Sequence, residues 1–173
     1  ITHVHADHFD PGKVTAIATA NPEVKIFTTD QVAGEINSDF VTAVRVGEQY
    51  TADDITLEFF GGQHATIMAG YPPAGADHNV GVLVNDTLYY PGDSLAPCPK
   101  AHSVLAVPAT APWLKLIEAV EFMAQDSADE VFPTHNNIVN ENGEGLLNRL
   151  LGSSAEQQGK TYHPVKPGDS IEI

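Results

Sequence analysis

One cysteine, Cys98, stands among 173 residues, so no internal disulfide framework can form and a reducing compartment suits the chain. A cytoplasmic location is the expectation that follows. No apolar run approaches the roughly 20 residues that a membrane-spanning helix needs, and no membrane association is expected. Positive charge is scarce: 8 Lys and Arg stand against 23 Asp and Glu, for a net charge of −15. Arg45 and Arg149 are the two arginines, and no basic stripe exists to follow a phosphate backbone, which argues against nucleic acid as a partner. The acidic surplus reads as a self-repelling, soluble surface whose charge bound divalent cations would partly offset. Apolar residues make up 42%, enough for one domain, residues 1–173, with a core of ordinary size. Internal repeats and low-complexity tracts are absent.

Against this background the first residues are unusual. Thr2-His3-Val4-His5-Ala6-Asp7-His8 holds three imidazoles and one carboxylate in six consecutive positions. Neutral imidazole and carboxylate oxygen are good ligands for Zn²⁺ and similar cations. In an extended segment His3 and His5 share one face and can grip one ion. A turn at Ala6 then lets Asp7 and His8 address a second ion a few ångströms away. A solvated His-rich turn or a purification tag is the bland alternative, but a tag lacks the interleaved Asp and does not run into structured sequence. Here Asp10 suits a helix N-cap and Pro11 the first helical position, predicting a helix over residues 14–20.

Further on, periodicity predicts alternating short strands and helices: strands at 24–28, 40–46, 55–60, 80–84, 87–90, 103–107, 130–132 and 170–173, and helices near 31–36, 112–124 and 144–151. Asn85-Asp86 reads as a two-residue hairpin turn. Residues 70–77, rich in Pro and Gly, read as a mobile loop placed where substrate contact or plain connection would each be served. Three metal-competent residues follow predicted strands: His64 after Gly61-Gly62, Asp93 in Pro91-Gly92-Asp93-Ser94, and His135 in Pro133-Thr134-His135. Strand ends are where open sheets build sites.

With these residues assembled, the chain resembles the metallo-β-lactamase superfamily, in particular its hydrolase branch similar to L-ascorbate-6-phosphate lactonases. Thr2 to His8, His64 in Gly-Gly-Gln-His-Ala, Asp93 in Tyr-Tyr-Pro-Gly-Asp-Ser and His135 in Pro-Thr-His-Asn carry the resemblance, and Val107-Pro108-Ala109 leading to Ala111-Pro112-Trp113 also looks like that branch. The resemblance implies an α/β fold, an αββα sandwich with the site at one edge of two sheets. It implies two divalent metal ions, zinc favoured by the histidine-rich set, with manganese or iron as alternatives. One ion would be held by His3, His5 and His64, the other by Asp7, His8 and His135, with Asp93 bridging. A hydroxide shared by the cations would attack a small ester, lactone or phosphoester, and Asp7 would handle the leaving-group proton. A non-catalytic metal-binding or interaction module is the rival reading, and a di-iron redox enzyme a weaker one; turnover on an ester and phosphodiester panel separates the first two.

Several other residues read as structural. His78, His102 and His163 are expected to be exposed or structural, Trp113 to begin a helix and pack in the core, and Cys98 to be a small buried residue. Of Tyr89 and Tyr90 at most one points inward, while Asn136 and Asn137 either orient His135 or form a turn.

Family members carry strands ahead of the histidine motif, whereas Ile1 and Thr2 alone precede His3 here. The first sheet is therefore expected to be N-terminally incomplete, with an open edge for a complementing segment or a second protomer. Metal is expected to bind more weakly to this chain than to a longer form whose motif is rigidly anchored, and parallel metal titrations check it, equal affinities removing the idea.

Overall fold

Asp10 starts the first helix as its sequence suggests: its carboxylate accepts from the backbone N–H groups of Gly12 and Lys13 at 2.9 and 3.1 Å, and Pro11 opens helix α1, Pro11–Ala20. The structure is a computed structural model that describes residues 1–66 and 78–172. After α1 come strand β1 (Ile26–Thr28), helix α2 (Asp30–Ile36, capped by the Thr29 hydroxyl), and strands β2 (Val41–Ala43), β3 (Gln49–Ala52) and β4 (Ile55–Gly61). Strands β5 (Val80–Val84), β6 (Leu88–Tyr90) and β7 (Val104–Pro108) lead to helix α3 (Leu116–Gln125). Strand β8 (Glu130–Thr134), helix α4 (Glu141–Gln157) and strand β9 (Thr161–Tyr162) complete the order.

The strands form two sheets. β1 and β2 pair in parallel, and β3-β4-β5-β6-β7-β8-β9 form a seven-stranded sheet in sequence order. Its first four strands are antiparallel, and β6 to β9 run parallel. β7 is buried along its whole length, as a parallel strand covered on both faces must be. Ala119, Phe122 and Met123 of α3, with Leu151 and Ala155 of α4, cover one face of the large sheet against Leu105, Val107 and Val131. On the opposite face Phe59 and Val80 meet Val44 and Phe27, so the two sheets pack on each other. Val14 of α1 and Val32 of α2 then cover the small sheet with Phe9 and Ile26. The layers run α, β, β, α, the expected sandwich. Beside the small sheet an apolar groove of about 530 Å³ runs between α1 and the β4–β5 face, lined among others by Ile17, Ile26, Leu57 and Val82.

Several boundaries differ from the sequence expectation for local reasons. Trp113 does not begin α3: a turn from Ala111 to Leu114 intervenes, and the helix starts at Leu116, where the Lys115 N–H donates to the Glu118 carboxylate at 2.7 Å. α4 starts earlier than residue 144, because Asn140 caps it by accepting from the Gly143 N–H at 3.0 Å, and it runs on past residue 151 to Gln157. Residues 170–172 form no strand; the edge of β8 is taken by β9, and β3 is an added strand with alternating exposure around Tyr50. Asn85 and Asp86 both take φ of +51°, and the Thr87 N–H closes the hairpin on the Val84 carbonyl at 2.9 Å, as expected. The proposed loop at 70–77 lies outside the described residues. No described helix is long and apolar enough to cross a membrane.

Far from the histidine motif, His102 takes the structural of its two expected roles and is buried. Its Nε2 lies 2.9 Å from Asp126 Oδ1, both side chains fully enclosed, while its Nδ1 meets the Lys100 carbonyl at 3.0 Å. Asp126 also accepts from the N–H groups of Ala128 and Cys98, and Lys160 Nζ donates to the carbonyls of Asp126 and Ala128. Burial pulls the His102 pKa down, but the Asp126 carboxylate outweighs it and the net shift is upward; burial likewise raises the Asp126 pKa, and His102 outweighs it downward. A raised histidine pKa adds stability that is present below the unfolded value and lost as pH rises through the folded one. A lowered carboxyl pKa adds stability that is present above its unfolded value and lost as pH falls through the folded one. Asp126→Asn is therefore expected to cost about 3 kcal/mol near pH 6, with the gap to wild type narrowing as the pH is raised through alkaline values, measured by urea unfolding.

Candidate metal centre

The direction of the strands decides which loops meet. β4 and β6 run the same way because β5 is antiparallel to both, and β7 and β8 run parallel to β6. Residues following β4, β6, β7 and β8 therefore emerge at one edge of the sheet, and these are His64, Asp93, the Thr110–Trp113 loop and His135. The amino-terminal motif reaches the same edge from between the sheets. Thr2 accepts from the Val80 N–H at 2.9 Å, and Ile1 N donates to the Phe27 carbonyl at 3.0 Å, tying the segment to both sheets. A turn in which the N–H groups of His8 and Phe9 share the His5 carbonyl then swings Asp7 and His8 round, as the turn expected at Ala6 requires.

All seven predicted donors converge. His3, His5, His64 and Asp93 form one group of donor atoms mutually within 4.8 Å, and Asp7, His8 and His135 form a second. His3 Nε2 and His5 Nδ1 are 3.0 Å apart. Asp93 lies between the groups: Oδ2 is 3.3 Å from His64 Nε2 and 3.4 Å from His135 Nε2, while Oδ1 is 3.1 Å from His8 Nε2. Asp7 Oδ2 is 3.3 Å from His135 Nε2, and its side chain is 61% exposed. Asp93 itself is 3% exposed.

The far side of each ring is held. Thr2 Oγ1 meets His3 Nδ1 at 3.1 Å and His8 Nδ1 at 3.4 Å. His64 Nδ1 donates to the Ala65 carbonyl at 2.6 Å, and His135 Nδ1 donates to the Thr110 carbonyl at 2.6 Å. In return the Thr110 hydroxyl donates to the His135 carbonyl at 2.6 Å, which secures His135 in a left-handed backbone conformation at φ +56°. The two carbonyl ties fix the tautomer of His64 and His135 and leave Nε2 of each to accept a cation. His64 Nε2, His135 Nε2 and Asp93 Oδ1 are buried without a hydrogen-bond partner of good geometry, the condition that ion binding relieves.

Electrostatics points the same way. Burial opposes the charge of Asp93, yet the imidazoles of His135, His64 and His8 outweigh it and hold the carboxyl far below the usual range. Asp93 in turn pushes the His135 pKa up to about 9, and it raises that of His64 against the pull of burial. Burial first, and then His8, lowers that of His3 to about 3, which leaves its ring neutral and able to ligate. A buried anion ringed by imidazoles favours positive charge at its centre, and the donor set of imidazole and carboxylate fits zinc, iron or manganese.

The site opens on a cleft of about 360 Å³ lined by Asp7, His8, Tyr90, His135, Asn137 and Ile138. Of the two adjacent tyrosines, Tyr89 is in the core and Tyr90 faces the cleft. Asn137 lines it as well. His78 is exposed near Asp30, and His163 pairs with Glu130 at 2.8 Å; neither joins the cluster. Cys98 is buried as expected.

The expectation that Trp113 packs in the core does not hold. Its indole Nε1 donates to Asp93 Oδ2 at 3.2 Å, and its ring stands edge-on to His64 and His135. Asn79 was also missed: buried, it donates to the Pro91 carbonyl at 2.8 Å and accepts the Asp93 N–H at 3.0 Å, pinning the turn that aims Asp93. Gly92 at the centre of that turn has φ +64°, and a Cβ there would stand 2.3 Å from Asn79 Oδ1 and 2.8 Å from Thr2 Cβ. A glycine between Pro and Asp after a strand was the available signal.

Comparison with known proteins agrees with this geometry. No family model matches the chain. Over 151 residues the chain is 32% identical to Protein Rv0786c of Mycobacterium tuberculosis, covering 84% of this chain and 69% of that protein. Igni18, a metallo hydrolase from the archaeon Ignicoccus hospitalis, superposes with a TM-score of 0.73 at 15% identity, over 99% of this chain and 76% of that one. YhfI of Bacillus subtilis, a metallo-β-lactamase fold protein, superposes with a TM-score of 0.60 at 15% identity, over 93% and 72%. The fold is that of the metallo-β-lactamases.

Gly92→Ala is expected to destabilise the protein by about 2–5 kcal/mol, the left-handed penalty plus the overpacking against Asn79 and Thr2. Thermal unfolding of the two proteins checks it.

Proposed function

Because this chain belongs to the family of Protein Rv0786c and has the metallo-β-lactamase fold, we propose that it is a dinuclear metal-dependent hydrolase of small esters, lactones or phosphoesters. The observation that carries this reading is the convergence of donors from three separate parts of the chain on one buried carboxylate supplied by a fourth. His3, His5 and His64 would hold one ion, Asp7, His8 and His135 the other, and Asp93 would contact both. Zinc suits the predominance of imidazole. Bound there, a pair of divalent cations supplies Lewis acidity and a water whose pKa is brought towards neutrality.

The protein's own residues supply the rest. Thr2, Thr110 and the Ala65 carbonyl keep the rings oriented, so little reorganisation is needed during reaction. Asp7 is exposed to the cleft, which supports a role in passing a proton from the attacking water to the departing alkoxide. Tyr90 and Ile138 form the cleft walls, and no Lys or Arg is among the described residues that line it. A neutral ester or lactone fits such walls better than a multiply charged phosphate.

Elemental analysis of the protein is expected to give two equivalents of metal. His5→Ala and Asp93→Ala are each expected to lower turnover on a panel of esters, lactones and phosphodiesters by on the order of 100-fold or more, with the fold retained by circular dichroism. Two bound metals with no turnover on any panel member would leave a binding module in place of an enzyme.

A further inference from the structure

The chain has one tryptophan, Trp113, and it stands against the donor cluster instead of in the core. Its indole N–H donates to Asp93 Oδ2 at 3.2 Å, and its ring centroid lies 5.7 Å from that of His64 and 6.2 Å from that of His135. The side chain thus touches one ring from each donor group as well as the carboxylate between them. Trp113 rides on the same loop as Thr110, which holds His135 by two reciprocal hydrogen bonds.

We propose that Trp113 is a positioning residue of the metal centre, fixing the rotation of the Asp93 carboxylate so that Oδ2 stays towards His64 and His135 and Oδ1 towards His8. The inference rests on the dinuclear reading above. An aspartate's terminal torsion has a broad, roughly two-fold preference, so neighbours must set the carboxylate plane. The other side-chain groups facing Asp93 Oδ2 are imidazole nitrogens, which release any proton when they ligate a cation. The indole N–H is a donor only and cannot ligate, so its hydrogen bond persists whether or not the site is loaded. Its ring also shields the His64–His135 side of the carboxylate, where competing water would otherwise solvate it.

Trp113→Phe keeps an aromatic ring and removes the N–H. The test compares wild type and this variant, stripped with chelator, by competitive Zn²⁺ titration, by the visible spectrum after Co²⁺ loading and by thermal unfolding of the metal-free proteins. The variant is expected to bind Zn²⁺ about 10- to 100-fold more weakly and to show displaced Co²⁺ bands, although its metal-free unfolding temperature stays near that of wild type. Unchanged affinity together with an unchanged Co²⁺ spectrum overturns the proposal. Should Trp113→Phe not fold, wild-type emission decides: because the chain has one tryptophan, Co²⁺ loading is expected to quench it in proportion to occupancy, and a bright loaded protein overturns the proposal. A wild type that takes up no metal defeats the hydrolase reading and this inference with it, whereas a wild type with two metals and a variant that matches it defeats this inference alone.

Discussion

A carboxylate removed from water must be neutralised by its surroundings, and in this protein that demand falls on Asp93. At 3% exposure it has lost almost all hydration, and it recovers the deficit from His8, His64 and His135, each within 3.4 Å of one of its oxygens. The three rings come from three separate parts of the chain, so satisfying one anion brings together the amino-terminal motif, the β4 end and the β8 end. Removing the charge would leave the rings repelling one another once protonated; removing the rings would leave a buried anion. A cation bound there would resolve the same problem more completely, and the donor set could hold one.

The architecture meets this demand by strand direction. Antiparallel β5 reverses the chain between β4 and β6, and the parallel run from β6 to β9 keeps returning it to the same edge. The ends of β4, β6, β7 and β8 therefore face one place. The crossover helices α3 and α4 that make the parallel run possible also bury its far face, so packing and site formation have a common cause. The second buried ion pair, His102 with Asp126, lies on the connections at the other edge of this run, before β7 and after α3. There a fully enclosed pair anchors loops without any opening to solvent, and the same residue chemistry serves structure alone.

The candidate ligand residues were legible in the sequence because metal chemistry restricts their types and spacing. His3, His5, Asp7 and His8 announce themselves by density, and His64, Asp93 and His135 by polarity directly after apolar strands. The residues that orient them were not legible. Trp113 acts on Asp93 across 20 positions, Asn79 across 14, and Thr110 on His135 across 25. Nothing in the vicinity of each distinguishes it from a core tryptophan, a strand-start asparagine or a loop threonine. The apolar spacing likewise continues back through Leu114, but a turn from Ala111 to Leu114 and the cap at Lys115 delay the start of α3.

What the sequence determined by itself was the inventory: the donors, the alternation of helices with short strands, the caps of α1 and the hairpin at Asn85-Asp86. These follow from local rules of periodicity, capping and turn conformation, which act over a few residues. The division of the donors into two sets was carried by the sequence only through a family resemblance; their meeting about Asp93 and the identity of the side chains that hold them came from the tertiary structure. That meeting depends on strand order and direction, set by burial of whole sheet faces, and no local stretch of sequence contains it.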